Sequence, residues 1–259
     1  MNYGLYLSAS GVLTNAYRQD VYANNLANVN TVAFKPDLPT LTPRPAEAVE
    51  DLTPLGTSSQ LLDRLGGGVL AGPQTTRHAV APVQQTGRDL DLALTEPDQF
   101  LAVQDIDPAT GNTQVKLTRD GRLAVSGDGF LVTATGHRVL DAADQPIALA
   151  PDTAVTLTPP GQVQQDGNTL AQLQVAAVDN PQALTKTGAN LFQFAGNDPR
   201  TRVEAPQLRV GALEASGTDA IKTMMNIMAS SKAAQANAKL IQYHDTMMDH
   251  AVNTLGRVG

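Results

Sequence analysis

Both ends of the chain repeat small and apolar residues at alternating intervals of three and four. Near the start the repeat runs through Leu5, Ala9, Val12, Ala16, Gln19, Ala23 and Leu26. Near the end it runs through Met224, Ile227, Ser231, Ala234, Ala238, Ile241, Asp245, Met248, Val252 and Leu255. This spacing places each set on one face of an α-helix and is the heptad pattern of coiled coils. We therefore predict a coiled-coil-like helix at each terminus, the second one capped by Ser216 or Thr218.

The segment 36–82 differs in kind from both ends. It contains Gly66-Gly67-Gly68 and the prolines Pro36, Pro39, Pro43, Pro45, Pro54, Pro73 and Pro82. Because proline lacks a backbone N–H, a helix cannot continue through such a run, and a central β-strand hardly can. The sequence predicts a Pro-rich extended loop over 36–82.

Short apolar runs separated by turn residues fill the region 83–212. Residues 89–94 alternate polar and apolar with a period of two, which is typical of a half-buried strand. Turn signals recur at Asp120-Gly121, Gly127-Asp128-Gly129, Thr135-Gly136, Asp166-Gly167 and Asn197-Asp198-Pro199. An Asp-Gly pair between two such runs is a strong hairpin signal. We predict an all-β central domain here, an irregular sandwich or barrel.

The predicted fold class is therefore α+β. The expected divisions are 1–35 for the first helix, 36–82 for the loop, 83–212 for the β domain and 213–259 for the last helix. Three arrangements of the helices stay open at this point: a helical hairpin within one chain, pairing between subunits, or packing of each helix on the β core. Polar Gln19 and Asp245 within the seams could set the register.

Composition and charge point away from catalysis and from nucleic acid. The net charge is −7, and no concentrated basic patch is available for phosphates. The absence of Cys excludes disulfides and thiolate chemistry. The four His residues do not fall into a metal-binding spacing, and no phosphate-binding loop or nucleophile elbow occurs. We predict no catalytic residue, no cofactor and no metal.

The first residues do not predict a cleaved leader. They lack a basic start and a long apolar stretch, and no segment reaches the roughly 18 apolar residues of a membrane span. The expectation is a protein that does not span a membrane and is not exported by a cleaved signal peptide.

Four motifs resemble the flagellar basal-body rod and hook proteins. They are the segment 22–35 (YANNLANVNTVAFK), the segment 86–94 with 100–103, the segment 118–140, and the segment 211–216 that leads into the last helix, which closes with 251–256. Alanine stands at position 33 where that family has glycine, which argues against a left-handed backbone turn there. The family has Ser-Asn-Val where this chain has Ser216-Gly217-Thr218.

The resemblance implies a structural rod subunit rather than an enzyme. Such subunits leave the cell through the flagellar type III export machinery and pair their terminal helices in a hollow, torque-transmitting axial tube. The implied partners are further copies of the chain, other rod and hook subunits and the surrounding basal-body rings, and the implied place is the periplasm-spanning rod. The alternative is a secreted adhesin or binding module that displays the β domain; a hydrolase ranks behind both. The predicted assembly seam comprises Leu5, Val12, Gln19, Leu26, Asn24, Asn25, Asn28, Asn30, Met224, Ile227, Ala234, Ala238, Ile241, Met248 and Leu255.

Overall fold

The computed structural model describes residues 3–45, 66–106, 111–150, 153–194 and 200–255. Within these ranges the chain is α+β, with one long helix near each end and a mostly β region between them, as the sequence predicts. The chain divides into two compact units. The first comprises residues 1–27, 37–75 and 219–259, and the second comprises residues 28–36 and 76–218.

The first unit is built on the two predicted helices. Helix α1 is Tyr3–Ala27 and helix α2 is Ala220–His250, followed by a short π-helical turn at Ala251–Leu255. Strands β2 (Leu41–Pro43) and β3 (Val69–Ala71) form an antiparallel pair. The backbone N–H of Val69 lies 3.4 Å from Ser10 Oγ, which brings β3 beside α1. In the described part of the chain, no helix combines the length and hydrophobicity that a membrane crossing requires.

The cap of α2 differs from the prediction. Asp219 caps the helix, and its Oδ1 accepts a hydrogen bond from the Lys222 N–H at 3.0 Å. Ser216 instead donates its hydroxyl to the Asn28 carbonyl at 2.9 Å, and its Oγ accepts from the Thr218 N–H at 3.2 Å rather than from an N–H of the first helical turn. A carboxylate at this position also suits the positive end of the helix dipole.

The predicted loop contains short strands where it is described. These are β1 (Asp37–Leu38), β2, β3 and β4 (Thr75–Thr76). The middle of the loop, residues 46–65, lies outside the described residues, as does the predicted turn at Asn197-Asp198-Pro199. The assignment of residues 36–82 to one separate segment of the chain stays a prediction.

The second unit contains the central strands. They are β5 (Val83–Gln85), β6 (Leu92–Leu94), β7 (Gln99–Ile106), β8 (Thr113–Thr118), β9 (Leu123–Val125), β10 (Leu131–Thr133), β11 (Arg138–Val139), β12 (Val155–Thr158), β13 (Gln162–Gln165), β14 (Asn168–Gln172), β15 (Val175–Ala177), β16 (Leu184–Gly188), β17 (Leu191–Phe194), β18 (Thr201–Arg202), β19 (Leu208–Val210) and β20 (Ala212–Glu214). A single 3₁₀ turn, Pro181–Ala183, precedes β16.

Nine of these strands share one antiparallel sheet. Its order is β16-β17-β8-β7-β11-β10-β9, and β15 pairs with β7 and with β18. A three-stranded sheet β12-β13-β14 and the pairs β6–β19 and β5–β20 complete the described strands of this unit. Closure into a sandwich or a barrel stays a prediction.

Three of the predicted turns join hairpins, and one does not. The turns at residues 127–129, 135–136 and 166–167 connect β9 to β10, β10 to β11, and β13 to β14. The hairpin predicted at Asp120-Gly121 is wrong, because β8 pairs with β7 and β17 while β9 pairs with β10. Gly121 instead approaches the backbone of Leu92, whose N–H donates to the Gly121 carbonyl at 3.0 Å. A Cβ at position 121 would collide with the Leu92 carbonyl, so this contact requires glycine.

The long strand β7 is buried on both faces. Leu101 and Val103 belong to one hydrophobic cluster, and Phe100 and Ala102 belong to another. His78 lies in a segment without regular secondary structure, but it is buried and packs edge-on against Phe100 with ring centroids 6.0 Å apart. Burial of both faces explains why the run 99–103 has no polar alternation.

Candidate assembly surface and buried charge cluster

Helices α1 and α2 pair antiparallel at very close range. A Cβ built on Gly4 would lie 2.8 Å from His244 Nε2, and one built on Gly11 would lie 2.5 Å from Asn237 Nδ2. The early part of α1 therefore faces the late part of α2. Glycine at these two positions lets polar side chains of α2 reach the α1 backbone.

The face that joins the two helices is small and polar. Ser8, Thr14 and Asn15 are buried on α1, and Thr223 and Ser230 are the buried residues of α2. Their polar atoms are partly satisfied within the helix: Ser8 Oγ donates to the Gly4 carbonyl at 2.8 Å, and Asn15 Nδ2 donates to the Gly11 carbonyl at 2.7 Å.

Many large apolar side chains of both helices are exposed. The apolar helix surface, as we name this set, consists of Tyr6, Leu13, Ile221, Met224, Met225, Met228, Leu240, Tyr243, Met247 and Met248. Leu13 is 71% exposed and Ile221 is 74% exposed, so the described residues leave most of the surface of these two side chains uncovered. An exposed apolar set of this size is typical of a protein–protein contact surface.

The residues of the predicted assembly seam do not form one cluster in the single chain. Half-buried positions are Leu5, Val12, Gln19, Leu26, Asn28, Ile227, Ala234 and Ile241; exposed positions are Asn24, Asn30, Met224, Ala238 and Met248. Asn25 is buried, and the side chain of Leu255 lies outside the described residues. Met224 and Met248 belong to the apolar helix surface. A contact of these residues with another subunit stays a prediction.

Two of the four asparagines hold the chain together at the end of α1. Asn25 Nδ2 donates to the Asp37 carbonyl at 2.7 Å, and the Asp37 N–H donates back to Asn25 Oδ1 at 2.9 Å. In the second unit, the Asn28 carbonyl accepts from Ser216 Oγ, and Asn28 Oδ1 accepts from Thr31 Oγ1 at 3.1 Å. These contacts support helix termination within one chain.

A buried charge cluster, which the sequence did not indicate, lies in the second unit. Glu214 Oε1 accepts from Lys35 Nζ at 2.6 Å and from the Ala81 N–H at 2.7 Å, and Oε2 accepts from Arg119 Nε at 2.8 Å. The side chains of Lys35 and Arg119 are fully buried, and that of Glu214 is 1% exposed. The three residues are far apart in sequence, so no local spacing could reveal them.

Backbone carbonyls complete the hydrogen bonding of both cations. Arg119 Nη1 donates to the carbonyls of Glu96 and Gln99, each at 2.7 Å, and Nη2 donates to that of Leu94 at 3.2 Å. Lys35 Nζ also donates to the Ala79 carbonyl at 2.9 Å. Burial and, after it, the Arg119 charge lower the pKa of Lys35 to about 8, while Glu214 acts in the opposite direction.

The segment before Lys35 contains a left-handed turn that the sequence argued against. Ala33 has φ of 54° although it carries a side chain, and it is fully buried. Its N–H donates to the Glu214 carbonyl at 2.8 Å, and the Gly217 N–H donates to the Phe34 carbonyl at 2.9 Å. These tertiary contacts hold the alanine in a conformation that costs of order 1 kcal/mol or more.

The described residues include no group of three or more His, Asp or Glu side chains placed to hold a metal ion. The features with clear organisation in this part of the chain are therefore the apolar helix surface and the buried charge cluster. Both are suited to holding protein segments in place.

Family models match both ends of the chain. One is described as "Flagella basal body rod protein" and matches residues 5–35, and the other is described as "Flagellar basal body rod FlgEFG protein C-terminal" and matches residues 209–254. The matched ranges contain α1 with the segment up to Lys35, and β20 with α2. They therefore also contain two members of the charge cluster, Lys35 and Glu214.

Relatives align over the full length. The chain is 29% identical to the flagellar basal-body rod protein FlgF of Caulobacter vibrioides, covering 100% of both chains. It is 29% identical to the flagellar basal-body rod protein FlgG of Bacillus subtilis, covering 96% of this chain and 97% of that one. It is also 26% identical to the flagellar hook-basal body complex protein FlhO of Bacillus subtilis, covering 98% and 99%. At both ends and along its length, the chain is therefore similar to flagellar basal-body rod proteins.

Proposed function

We propose that this chain is a structural subunit of the flagellar basal-body rod, which polymerises through its terminal helices into a hollow axial tube that transmits torque. The apolar helix surface carries the proposal, because the chain exposes large side chains on both helices while it joins those helices through small polar ones. Covering one such side chain stabilises a contact by about 1.5–3 kcal/mol. Repeated head-to-tail contacts that do not close into a ring give a helical filament.

The occupants of this surface are further copies of the chain and the neighbouring rod and hook subunits. Similarity to the rod proteins supports this choice, since two of the similar proteins are named as hook-basal body complex proteins. The surrounding basal-body rings are the partners of the outer face of the tube. The predicted seam residues, including Ile227, Ala234 and Ile241, complete the contact as α1 and α2 pack against neighbouring helices.

Each of the four predicted segments has its own role in the assembly. Helices α1 and α2, which lie within the predicted segments 1–35 and 213–259, form the inner core as a coiled coil. Residues 83–212 form the outward β domain, and residues 36–82 extend between neighbours. The rod spans the periplasm, and the subunit reaches it through the type III export machinery without a cleaved signal peptide.

A charge placed within the apolar helix surface tests this proposal. Met228→Asp inserts a carboxylate where a neighbouring subunit would exclude water, and burying an unpaired charge is strongly unfavourable. The variant should be depleted at least about tenfold from purified hook–basal bodies, as measured by quantitative mass spectrometry, and cells should lose motility. In the purified variant, the thermal unfolding transition of the β unit should be unchanged.

Gln235→Asp is the matched control. It adds the same charge at an exposed polar position of the same helix, where water remains in contact. This variant should assemble and support motility. Normal incorporation of Met228→Asp would show that the apolar helix surface lies outside the subunit contacts, and equal loss in both variants would show that any added charge on α2 blocks export or assembly.

A further inference from the structure

The charge cluster has two cations and a single anion. Lys35 and Arg119 both contact Glu214, one at each carboxylate oxygen, and all three side chains are withdrawn from water. Removing one partner of a buried ion pair costs much more than the pair contributes, because a charge is left behind in a poorly polarisable environment. Here the loss of Glu214 would leave two buried like charges beside each other.

The members of the cluster come from both chain segments that adjoin the helices. Lys35 lies in the segment 28–36, which follows α1, and Glu214 lies in the segment 212–218, which precedes α2. Arg119 follows β8 and is fixed to the body of the β unit through three carbonyls. The anion therefore connects the two terminal segments to each other and to the sheet.

Each segment also has contacts that do not involve the cluster. The Val32 carbonyl accepts from Asn190 Nδ2 at 2.7 Å, and Lys186 Nζ lies 4.6 Å from the centre of the Phe34 ring. At the other segment, β20 pairs with β5, and the Ala215 N–H donates to the Pro82 carbonyl at 2.9 Å. The two segments also meet directly, because the Ala33 N–H donates to the Glu214 carbonyl, the Gly217 N–H to the Phe34 carbonyl and the Ser216 hydroxyl to the Asn28 carbonyl. None of these bonds involves the Glu214 side chain, so a change of its carboxylate isolates the contribution of charge.

We propose that the Glu214 carboxylate couples the docking of segment 28–36 to the docking of segment 212–218, so that neither is held stably on the β unit without the other. With segment 212–218 absent, docking of 28–36 buries Lys35 next to Arg119 with no counter-charge. With segment 28–36 absent, Glu214 loses one cation and one of the donors at Oε1. The lowered pKa of Lys35 is consistent with a site in which the positive charges outnumber the negative one.

The coupling must be reciprocal. Two binding events that favour each other do so by the same factor in both directions. A change at residue 214 is therefore expected to loosen segment 28–36, and a change at residue 35 is expected to loosen segment 212–218. A substitution that removes a contact made within one segment only would loosen mainly that segment.

Hydrogen exchange of the full-length chain, followed by mass spectrometry, measures both segments at once. Glu214→Gln keeps the shape of the side chain and removes its charge. In this variant the amides of 28–36 should exchange about a hundredfold faster, which corresponds to about 3 kcal/mol at 1.4 kcal/mol per tenfold change. In Lys35→Met, the amides of 212–218 should exchange about tenfold faster.

The double variant Lys35→Met/Glu214→Gln separates a charge effect from a packing effect. It removes the cation that Glu214→Gln leaves without a partner, so exchange in 28–36 should slow by at least about tenfold relative to Glu214→Gln alone. Asp105→Asn is the control, since it removes a carboxylate from the partly exposed Lys116–Asp105 pair in the same unit. It should leave both segments within about threefold of the wild type.

Two results would overturn the proposal. One is faster hydrogen exchange in Glu214→Gln that is confined to the amides of 212–218, with the exchange of 28–36 unchanged. The other is a double variant in which the amides of 28–36 exchange as fast as they do in Glu214→Gln, or faster. If Glu214→Gln does not fold, the double variant decides: cooperative unfolding and a protected 28–36 support the coupling by charge, and failure of both variants to fold contradicts it.

Discussion

Ala33 shows how tertiary contacts override a local preference. Its φ of 54° lies in a region that glycine adopts freely and alanine adopts at a cost. The hydrogen bond from its N–H to the Glu214 carbonyl and the complete burial of its methyl group offset that cost. The side chain at this position is therefore tolerated because it is small and fully packed.

The effect of a substitution at position 33 on the free energy of unfolding should depend strongly on the size of the side chain. Ala33→Val is expected to lower the free energy of unfolding by about 2 kcal/mol or more, because a β-branched side chain is strained at positive φ and has no space here. Ala33→Gly should change it by less than about 1 kcal/mol, since relief of strain offsets the lost methyl contact. Urea unfolding of the two variants checks this. Similar losses in both would show that the methyl group matters more than the backbone conformation.

The stability of the protein should depend on Lys35 at alkaline pH. Burial, together with the Arg119 charge, lowers the pKa of Lys35 from 10.5 to about 8 in the fold. Between these pH values the unfolded chain holds a proton that the folded chain has released, so the free energy of unfolding rises with pH. From about pH 7.5 to about pH 10.5, the wild type should gain up to about 3 kcal/mol relative to Lys35→Met.

Urea unfolding of both proteins at the two pH values measures this gain. Taking the difference between them removes the contributions of other lysines and tyrosines, which titrate in both proteins. A difference that does not change with pH would mean that Lys35 keeps its ordinary pKa in the folded chain.

At the scale of elements, the sequence predicted the helices better than the strands. The heptad spacing placed α1 and α2 correctly, because a repeat of seven persists over many turns. The apolar runs at 99–103 and 115–117 also marked true strands, β7 and β8. The strands β13, β14 and β16 gave no such signal, since they are rich in Gln, Thr and Asn. β14 and β16 lie at the edges of their sheets, and β13 is the middle strand of the small three-stranded sheet.

The helical pattern did not reveal which face joins the two helices. The contact uses Gly4 and Gly11 of α1 and the polar residues Asn237 and His244 of α2. A search for regularly spaced apolar residues does not detect glycines and polar residues. The charge cluster was missed for a related reason, because its members are brought together only by the tertiary fold.

Closing the space at Gly11 should separate the helices. Gly11→Leu places a branched side chain where a Cβ alone would be 2.5 Å from Asn237 Nδ2. Although leucine favours a helix more than glycine does, overpacking of this contact should cost about 1–3 kcal/mol. We expect faster hydrogen exchange in both helices. Ala16→Leu, at an exposed position of the same helix, should slow exchange or leave it unchanged.

A second change tests the named contact. Asn237→Ala added to Gly11→Leu removes the side chain that the leucine meets, so part of the lost protection should return. If Gly11→Leu alone protects the helices as well as the wild type does, the close approach of α1 and α2 at this point is not needed for their pairing.

At the scale of the whole molecule, the chain passes through the β unit in two separate pieces. Residues 28–36 and 76–218 form that unit, whereas the predicted β domain extended over 83–212 only. The shorter range omits Lys35 and Glu214 and cuts β20, although it keeps Arg119. Sequence alone could not include residues 28–36, because they adjoin a helix and carry no strand pattern of their own.

The two ranges make different predictions as isolated fragments. Fragment 28–218 contains every residue of the β unit and should unfold in one cooperative transition. Fragment 83–212 leaves Arg119 buried without its anion, so its Tm should be lower by about 10 °C, from a loss of about 3 kcal/mol in a domain of this size. Calorimetry of both fragments measures the difference. Glu214→Gln in fragment 28–218 should move its Tm most of the way toward that of 83–212, because the same cation loses the same partner. Equal Tm values for the two unmodified fragments would mean that the β unit is complete without its terminal segments, and that the charge cluster serves only to attach them.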